Sequence, residues 1–255
     1  MPIEIVTVPC RSDNYAFLIH STDNGCTALV DAPDAAPIEA VLKARGWNLT
    51  DIWITHHHGD HVDGVEALRK AYSPRVIGAA ADAHRLPKLD VALTPGESYD
   101  FYGYAVHVID VSGHTVGHIA LHLPAAKAVF TGDSLMALGC GRLFEGTPDM
   151  MWTSLSKLAA LPEDTIVYSG HEYTAANAKF ALTIEPQNEA LQNRVKDITA
   201  ARAKGEATVP SSLSLELATN PFLRASLSEV KASLNMSDTE DAEVFAEIRA
   251  RKDRF

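Results

Sequence analysis

Thr55-His56-His57-His58-Gly59-Asp60-His61 is the stretch on which the fold reading turns. An apolar run, Ile52-Trp53-Ile54, leads into it and reads as a buried strand. Val62, Val65, Leu68 and Tyr72 follow at helical spacing, one face of an amphipathic helix. The cluster therefore falls at a strand-to-helix turn, where α/β folds place their chemistry. Alternate residues of an extended chain share a side, so His56 and His58 point together and His57 points away. Asp60 and His61 come at the turn into the helix. Imidazoles with a carboxylate make a ligand supply for zinc, iron and similar ions. An internal position in a strand–helix unit argues against an expression tag.

Outward from this stretch the pattern recurs. Asp31 closes the strand Cys26–Val30, and Ser112-Gly113-His114-Thr115-Val116-Gly117-His118 ends the strand Tyr104–Val111. Thr131-Gly132-Asp133 ends Lys127–Phe130, and Ser169-Gly170-His171 ends Thr165–Tyr168. Glycine beside a ligand type lets the backbone turn tightly round a small centre. A helix over Pro37–Arg45 stops at Gly46, and Asp13-Asn14 and Asp23-Asn24-Gly25 read as turns. Beyond Tyr173 the spacing is helical throughout: Tyr173–Ile184, a segment carrying Leu191, Val195 and Ile198, Ser211–Leu217 and Asp241–Arg251. The expected division is residues 1–172, bearing the metal motif, and a helical domain at 173–255.

The candidates His56, His58, Asp60, His61, His114, Asp133 and His171 are too many for one tetrahedral zinc. They suit two ions sharing a carboxylate, about 3.5–4 Å apart in hydrolytic sites of this kind. Spacing alone chooses neither between His114 and His118 nor which residue bridges.

Thr55–His61 carries the His-x-His-x-Asp-His pattern, with His114, Asp133 and His171 following in order. In this the chain resembles the metallo-β-lactamase superfamily. The resemblance implies an α/β fold, the αβ/βα four-layer sandwich, followed by a smaller helical C-terminal domain. It also implies that His114 is a ligand and His118 is not. Asp133 then bridges, with His56, His58 and His114 on one ion and Asp60, His61 and His171 on the other. Further stretches narrow the match: Phe130–Asp133, Gly139-Cys140-Gly141-Arg142-Leu143-Phe144-Glu145-Gly146, Gly170-His171-Glu172-Tyr173-Thr174, Asn220-Pro221-Phe222-Leu223-Arg224 and Arg249–Phe255. These are similar to the glyoxalase II (hydroxyacylglutathione hydrolase) family along nearly the whole chain.

That family resemblance implies hydrolysis of S-D-lactoylglutathione to D-lactate and glutathione by a metal-bridging hydroxide, the second step of methylglyoxal detoxification. Asp60 and Asp133 act there as ligands positioning the hydroxide. The implied cofactors are two divalent ions, zinc first, with iron or manganese as substitutes. Glutathione-binding positions map onto Arg142, Phe144, Tyr173, Arg249 and Lys252. Arg142 and Phe144 depart from the eukaryotic Lys and Tyr, which removes one hydroxyl from the expected glutathione site. Alternatives are another enzyme of the superfamily, such as an iron-dependent persulfide dioxygenase, or a non-catalytic metal-binding module.

Composition bounds the rest. The chain has 255 residues and a net charge of −11, which weighs against a nucleic-acid partner. Its apolar runs fall short of the roughly 20 residues needed to span a bilayer. Three widely spaced cysteines, Cys10, Cys26 and Cys140, suggest a reducing compartment. The expectation is a cytoplasmic monomer with no membrane partner. Cys140 reads as packing, and His57, His118 and His122 as structural or ligand-supporting residues.

Overall fold

The computed structural model describes residues 2–255. The chain packs as two compact units: one takes the chain up to Asp110 with Gly117–Gly132, the other Val111–Val116 with Asp133–Phe255.

In the first unit, β1 (Ile3–Cys10), β2 (Asn14–Ser21) and β3 (Thr27–Val30) run antiparallel as a meander. Helix α1 (Ala35–Arg45) starts under the Asp34 cap, whose carboxylate accepts from the Ala36 N–H, and ends at Gly46 with φ 66°. Strand β4 (Leu49–Trp53) lies parallel to β3. The metal-motif helix is split into α2 (Gly59–Val62) and α3 (Val65–Tyr72). At the break the Gly64 N–H leaves the helical ladder and donates to Ala32 O at 2.8 Å, and the approach is so close that a Cβ at 64 would lie 2.9 Å from Ala32 O and Ala35 N. Strands β5 (Arg75–Ala79) and β6 (Val91–Leu93) continue the sheet in parallel, in the order β1-β2-β3-β4-β5-β6.

A second set is antiparallel: β7 (Ser98–Phe101), β8 (Tyr104–Asp110), β9 (Ile119–Leu123) and β10 (Ala128–Gly132). Strand β8 alternates, with Val106 and Val108 buried and Ala105 and His107 exposed. Between the sheets the rings interlock. Trp53 meets Phe101 edge-on at 5.1 Å and Phe130 at 6.4 Å, and Phe17 meets Phe130 at 5.9 Å. The other face of the first sheet is sealed by Ile38 and Leu42 of α1 and by Val65 and Leu68 of α3, packed on Leu18, Leu29 and Ile52. Each fully buried aliphatic or aromatic side chain here contributes about 1.5–3 kcal/mol. Sheet topology thus places the ends of β4, β9 and β10 together. The Ile119 N–H bonds Thr55 O at 3.0 Å, and Gly132 lies against the Thr55 side chain.

The second unit holds the two-residue pair β11 (Leu135–Met136) and β12 (Gly139–Cys140), α4 (Pro148–Ala159) and β13 (Ile166–Ser169). Then come α5 (Thr174–Ile184), α6 (Glu189–Ala203), β14 (Ser211–Ser212), α7 (Leu213–Thr219), α8 (Ser228–Ser233) and α9 (Asp241–Arg254). The helices expected from spacing are present: Tyr173–Ile184 is observed as Thr174–Ile184, and Asp241–Arg251 runs on to Arg254. Ser211–Ser212, read as helical, is instead a short strand paired with β13. Its core joins Phe180, Phe222 and Phe245, with Trp152 of α4 on Phe245 at 6.1 Å. By packing, residues 133–171 group with the helices.

Candidate metal centre

In the first unit the four candidate ligands of the motif lie close together. His56 Nε2 lies 3.1 Å from His58 Nδ1, and the His56 and His61 rings are 4.1 Å apart. His61 Nε2 is 3.8 Å from Asp60 Oδ2. Asp31, which has φ 56° and is 2 % exposed, organises them. It accepts from the Thr55 N–H at 2.9 Å, from Thr55 Oγ1–H at 2.8 Å and from His61 Nδ1 at 2.7 Å. That bond settles the proton on Nδ1 and leaves the His61 Nε2 lone pair for an ion. His57 turns aside to Asp82 at 3.0 Å. His118 stacks flat on His56 at 4.5 Å.

In the second unit His114, Asp133 and His171 form a matching group, each under a tenth exposed. The His114 loop is held from several sides. Ser154 donates to Ser112 O at 2.7 Å, the Gly146 N–H to Gly113 O at 3.0 Å and the Phe144 N–H to His114 O at 3.2 Å. Gly113, at φ 151°, sits where a Cβ would strike Met151 at 2.8 Å. His114 Nδ1 donates to the Arg142 carbonyl at 2.8 Å. A carbonyl only accepts, so the proton is on Nδ1 and the Nε2 lone pair points inward. That lone pair is 3.5 Å from Asp133 Oδ2, and His171 Nε2 is 3.3 Å from the same oxygen. Lone pair against carboxylate oxygen is unfavourable by itself and favourable around a cation. In each unit, taken by itself, imidazoles beside a carboxylate, with the Nδ1 atoms of His61 and His114 anchored, have the chemistry of a divalent-metal donor set.

The expected substrate residues lie in the same unit as this second group. Phe144, 62 % exposed, meets the His114 ring at 5.1 Å, and Tyr173 stacks on His171 at 4.7 Å. Lys252 is pressed below the ordinary lysine range, first by burial and then by the neighbouring Arg249 and Arg142 cations. Such crowding of cations marks a place fit for an anion. Arg249 is less free than sequence suggests. It is 4 % exposed and donates to Asp253 Oδ1 at 3.1 and 2.8 Å and to Cys140 O at 3.1 Å. Burial raises the Cys140 thiol to about 11, so it is protonated at neutral pH and no nucleophile.

Sequence reasoning did not find Asn14, Asp82 or Glu216. Asn14 bonds Asp60, and Glu216 accepts from the Leu138 N–H at 2.9 Å, gripping the β11–β12 turn between Asp133 and Arg142. Each acts across a long chain separation, which no local spacing reports.

Comparison with known proteins agrees along the chain. Residues 11–171 match the metallo-beta-lactamase superfamily, and 172–255 the hydroxyacylglutathione hydrolase C-terminus. The chain is 66 % identical to the hydroxyacylglutathione hydrolase of Ruegeria pomeroyi over 100 % of both chains. Among solved structures, the ETHE1 protein of Myxococcus xanthus superposes with TM-score 0.69 at 23 % identity, covering 98 % of this chain and 90 % of that one. The di-iron-bound form of TTHA1623 gives TM-score 0.62 at 25 % identity, covering 85 % and 98 %. The fold is the metallo-β-lactamase α/β sandwich followed by a helical C-terminal domain. The chain belongs to the hydroxyacylglutathione hydrolase family of the metallo-β-lactamase superfamily.

Proposed function

We propose that the protein hydrolyses S-2-hydroxyacylglutathione thioesters, taking S-D-lactoylglutathione to D-lactate and glutathione. The observation that carries this reading is the anchored, inward-facing set of imidazoles and carboxylates in a chain of this family. His56, His58, Asp60, His61, His114, Asp133 and His171 are the proposed ligands of two divalent ions. Zinc suits a set this rich in imidazole, and iron or manganese can replace it. When bound, the ions supply Lewis acidity at the thioester carbonyl and make a water acidic enough to attack near neutral pH.

The chain's residues do the remaining work. Asp31 and the Arg142 carbonyl hold the His61 and His114 rings in one tautomer. Asp60 and Asp133 bring negative charge to offset the ions. Arg142 and Lys252 hold the glutathione carboxylates, with Arg249 fixing the Cys140 backbone beside them. Phe144 and Tyr173 lay apolar faces on the tripeptide. A thiolate is a weak base for a leaving group, so no dedicated proton donor is required. The setting proposed is cytoplasmic, with the enzyme a monomer in the second step of methylglyoxal detoxification. No helix among the described residues is long and apolar enough to cross a membrane.

Metal-replete protein mixed with S-D-lactoylglutathione should consume the thioester absorbance and release one thiol per turnover. No turnover, alongside oxygen consumption with glutathione persulfide, overturns the reading in favour of dioxygenase chemistry.

A further inference from the structure

The turn between β1 and β2 reads in sequence as ordinary Asp13-Asn14 turn chemistry, and nothing in the histidine motif asks for it. In the structure Asn14 opens β2 opposite Cys10 and is 4 % exposed. Its side chain reaches 46 positions along the chain. Nδ2 donates to the backbone oxygen of Asp60 at 3.1 Å and to Asp60 Oδ2, also at 3.1 Å. The same hairpin tip is pinned a second time. Arg11, at φ 50°, donates from Nε to Pro33 O at 3.0 Å and pairs with Asp63 Oδ2 at 2.6 Å. Asn14 and Arg11 thus hold the short helix α2 near its beginning and just past its end.

The chemistry of the two contacts differs. Arg11–Asp63 is an exposed ion pair, which docks the hairpin and is worth little by itself. Asn14 is buried and neutral. Its one nitrogen carries two N–H donors, and here they tie the carboxylate of Asp60 to the carbonyl of the same residue. That bond pair sets the side-chain rotamer of Asp60 against its own backbone. A lysine there would compete as a charge for the carboxylate, and a hydroxyl offers one donor where two are used. The carboxamide holds Asp60 without neutralising it, and Asp60 Oδ2 remains 3.8 Å from His61 Nε2.

We propose that Asn14 is a positioning residue, presenting the Asp60 carboxylate so that the ion held with Asp60 and His61 is retained. This rests on the metal-dependent reading above. It adds a residue from the N-terminal hairpin to a centre whose ligands all lie downstream. Partners that orient metal ligands in this way change metal affinity by about 10–100-fold when removed.

The test reads metal binding apart from activity. Apo forms of wild type, Asn14→Leu, Asn14→Ala and Arg11→Ala are titrated with Zn2+ against a chromophoric chelator. Far-UV circular dichroism and melting of the apo samples are recorded in parallel. Leucine keeps the branched shape of asparagine and removes both donors, and alanine covers the case of a misfit from its greater bulk. Both Asn14 variants should bind one ion as wild type does and the other about 10–100-fold more weakly. Arg11→Ala should change the apo melting temperature little and leave both binding steps intact. Wild-type affinity for both ions in the Asn14 variants overturns the proposal. So does an equal weakening of both ions that Arg11→Ala reproduces, because the hairpin would then act only by docking. Failure of wild type itself to bind metal is a separate result, and it sinks the metal-dependent function.

Discussion

At the scale of single residues, the candidate centre depends on atoms outside its proposed ligand set. Asp31 takes three donors from Thr55 and His61 while standing in the left-handed region at φ 56°. Asparagine tolerates that backbone, so Asp31→Asn isolates the loss of charge and of one acceptor. The variant should fold and should bind one ion about 10–100-fold more weakly, measured by chelator competition. Lys252 carries a pH signature. Its pKa lies below the ordinary lysine value through burial and the Arg249 and Arg142 charges, so its positive charge is lost earlier as pH rises. KM for a glutathione thioester should therefore climb through the alkaline range in wild type, and Lys252→Met should flatten that climb while starting from a higher KM.

Elements matter through how closely they pass. Gly141 follows β12, and a Cβ built there falls 2.0 Å from Asp133 O and 2.9 Å from His114 Nδ1. Gly141→Ala must push the backbone of Asp133 or the His114 ring aside. We expect a loss of about 1–3 kcal/mol in stability, read by denaturant unfolding, together with weaker metal binding. Helix α9 contributes differently along its length. Arg249 is buried with its donors on Cys140 O and Asp253, whereas Lys252 lies farther out, donating to Ala176 O at 3.3 Å. Arg249→Ala should cost about 1–3 kcal/mol of folding stability by leaving the buried Cys140 carbonyl unmet. Lys252→Met should move KM with the melting temperature nearly unchanged.

For the whole molecule, ligand binding is coupled to folding by mass action. Ions that bind the native chain and not the unfolded one stabilise it by about 2.7 kcal/mol at 100 times Kd. Stripping metal with a chelator should therefore lower the melting temperature and abolish thioester hydrolysis, and Zn2+ in slight excess should restore both. Full activity after complete removal, verified by elemental analysis, contradicts the two-ion chemistry. The net charge of −11 sets the background against which an anionic substrate must be held, which makes the Arg142, Arg249 and Lys252 group informative.

Residue types and local periodicity determined much by themselves. The strand-to-helix turn at Thr55–His61, the Asp or His at successive strand ends and the helical run after Tyr173 are short-range patterns, and short-range sterics make them readable. Two local readings failed where the fold intervened. The motif helix breaks at Gly64, whose N–H donates to Ala32 O, 32 positions back in the chain, outside the helical ladder. Ser211–Ser212 becomes a strand because β13 offers it a partner. Only tertiary structure decided which polar groups hold the ligands. Asn14 on Asp60, Asp31 on His61, Asp82 on His57 and Glu216 on the Leu138 turn span 25 to 78 positions in the chain. Hydrogen bonds at such separations are set by where packed sheets and helices bring side chains, and a linear sequence carries no local trace of that.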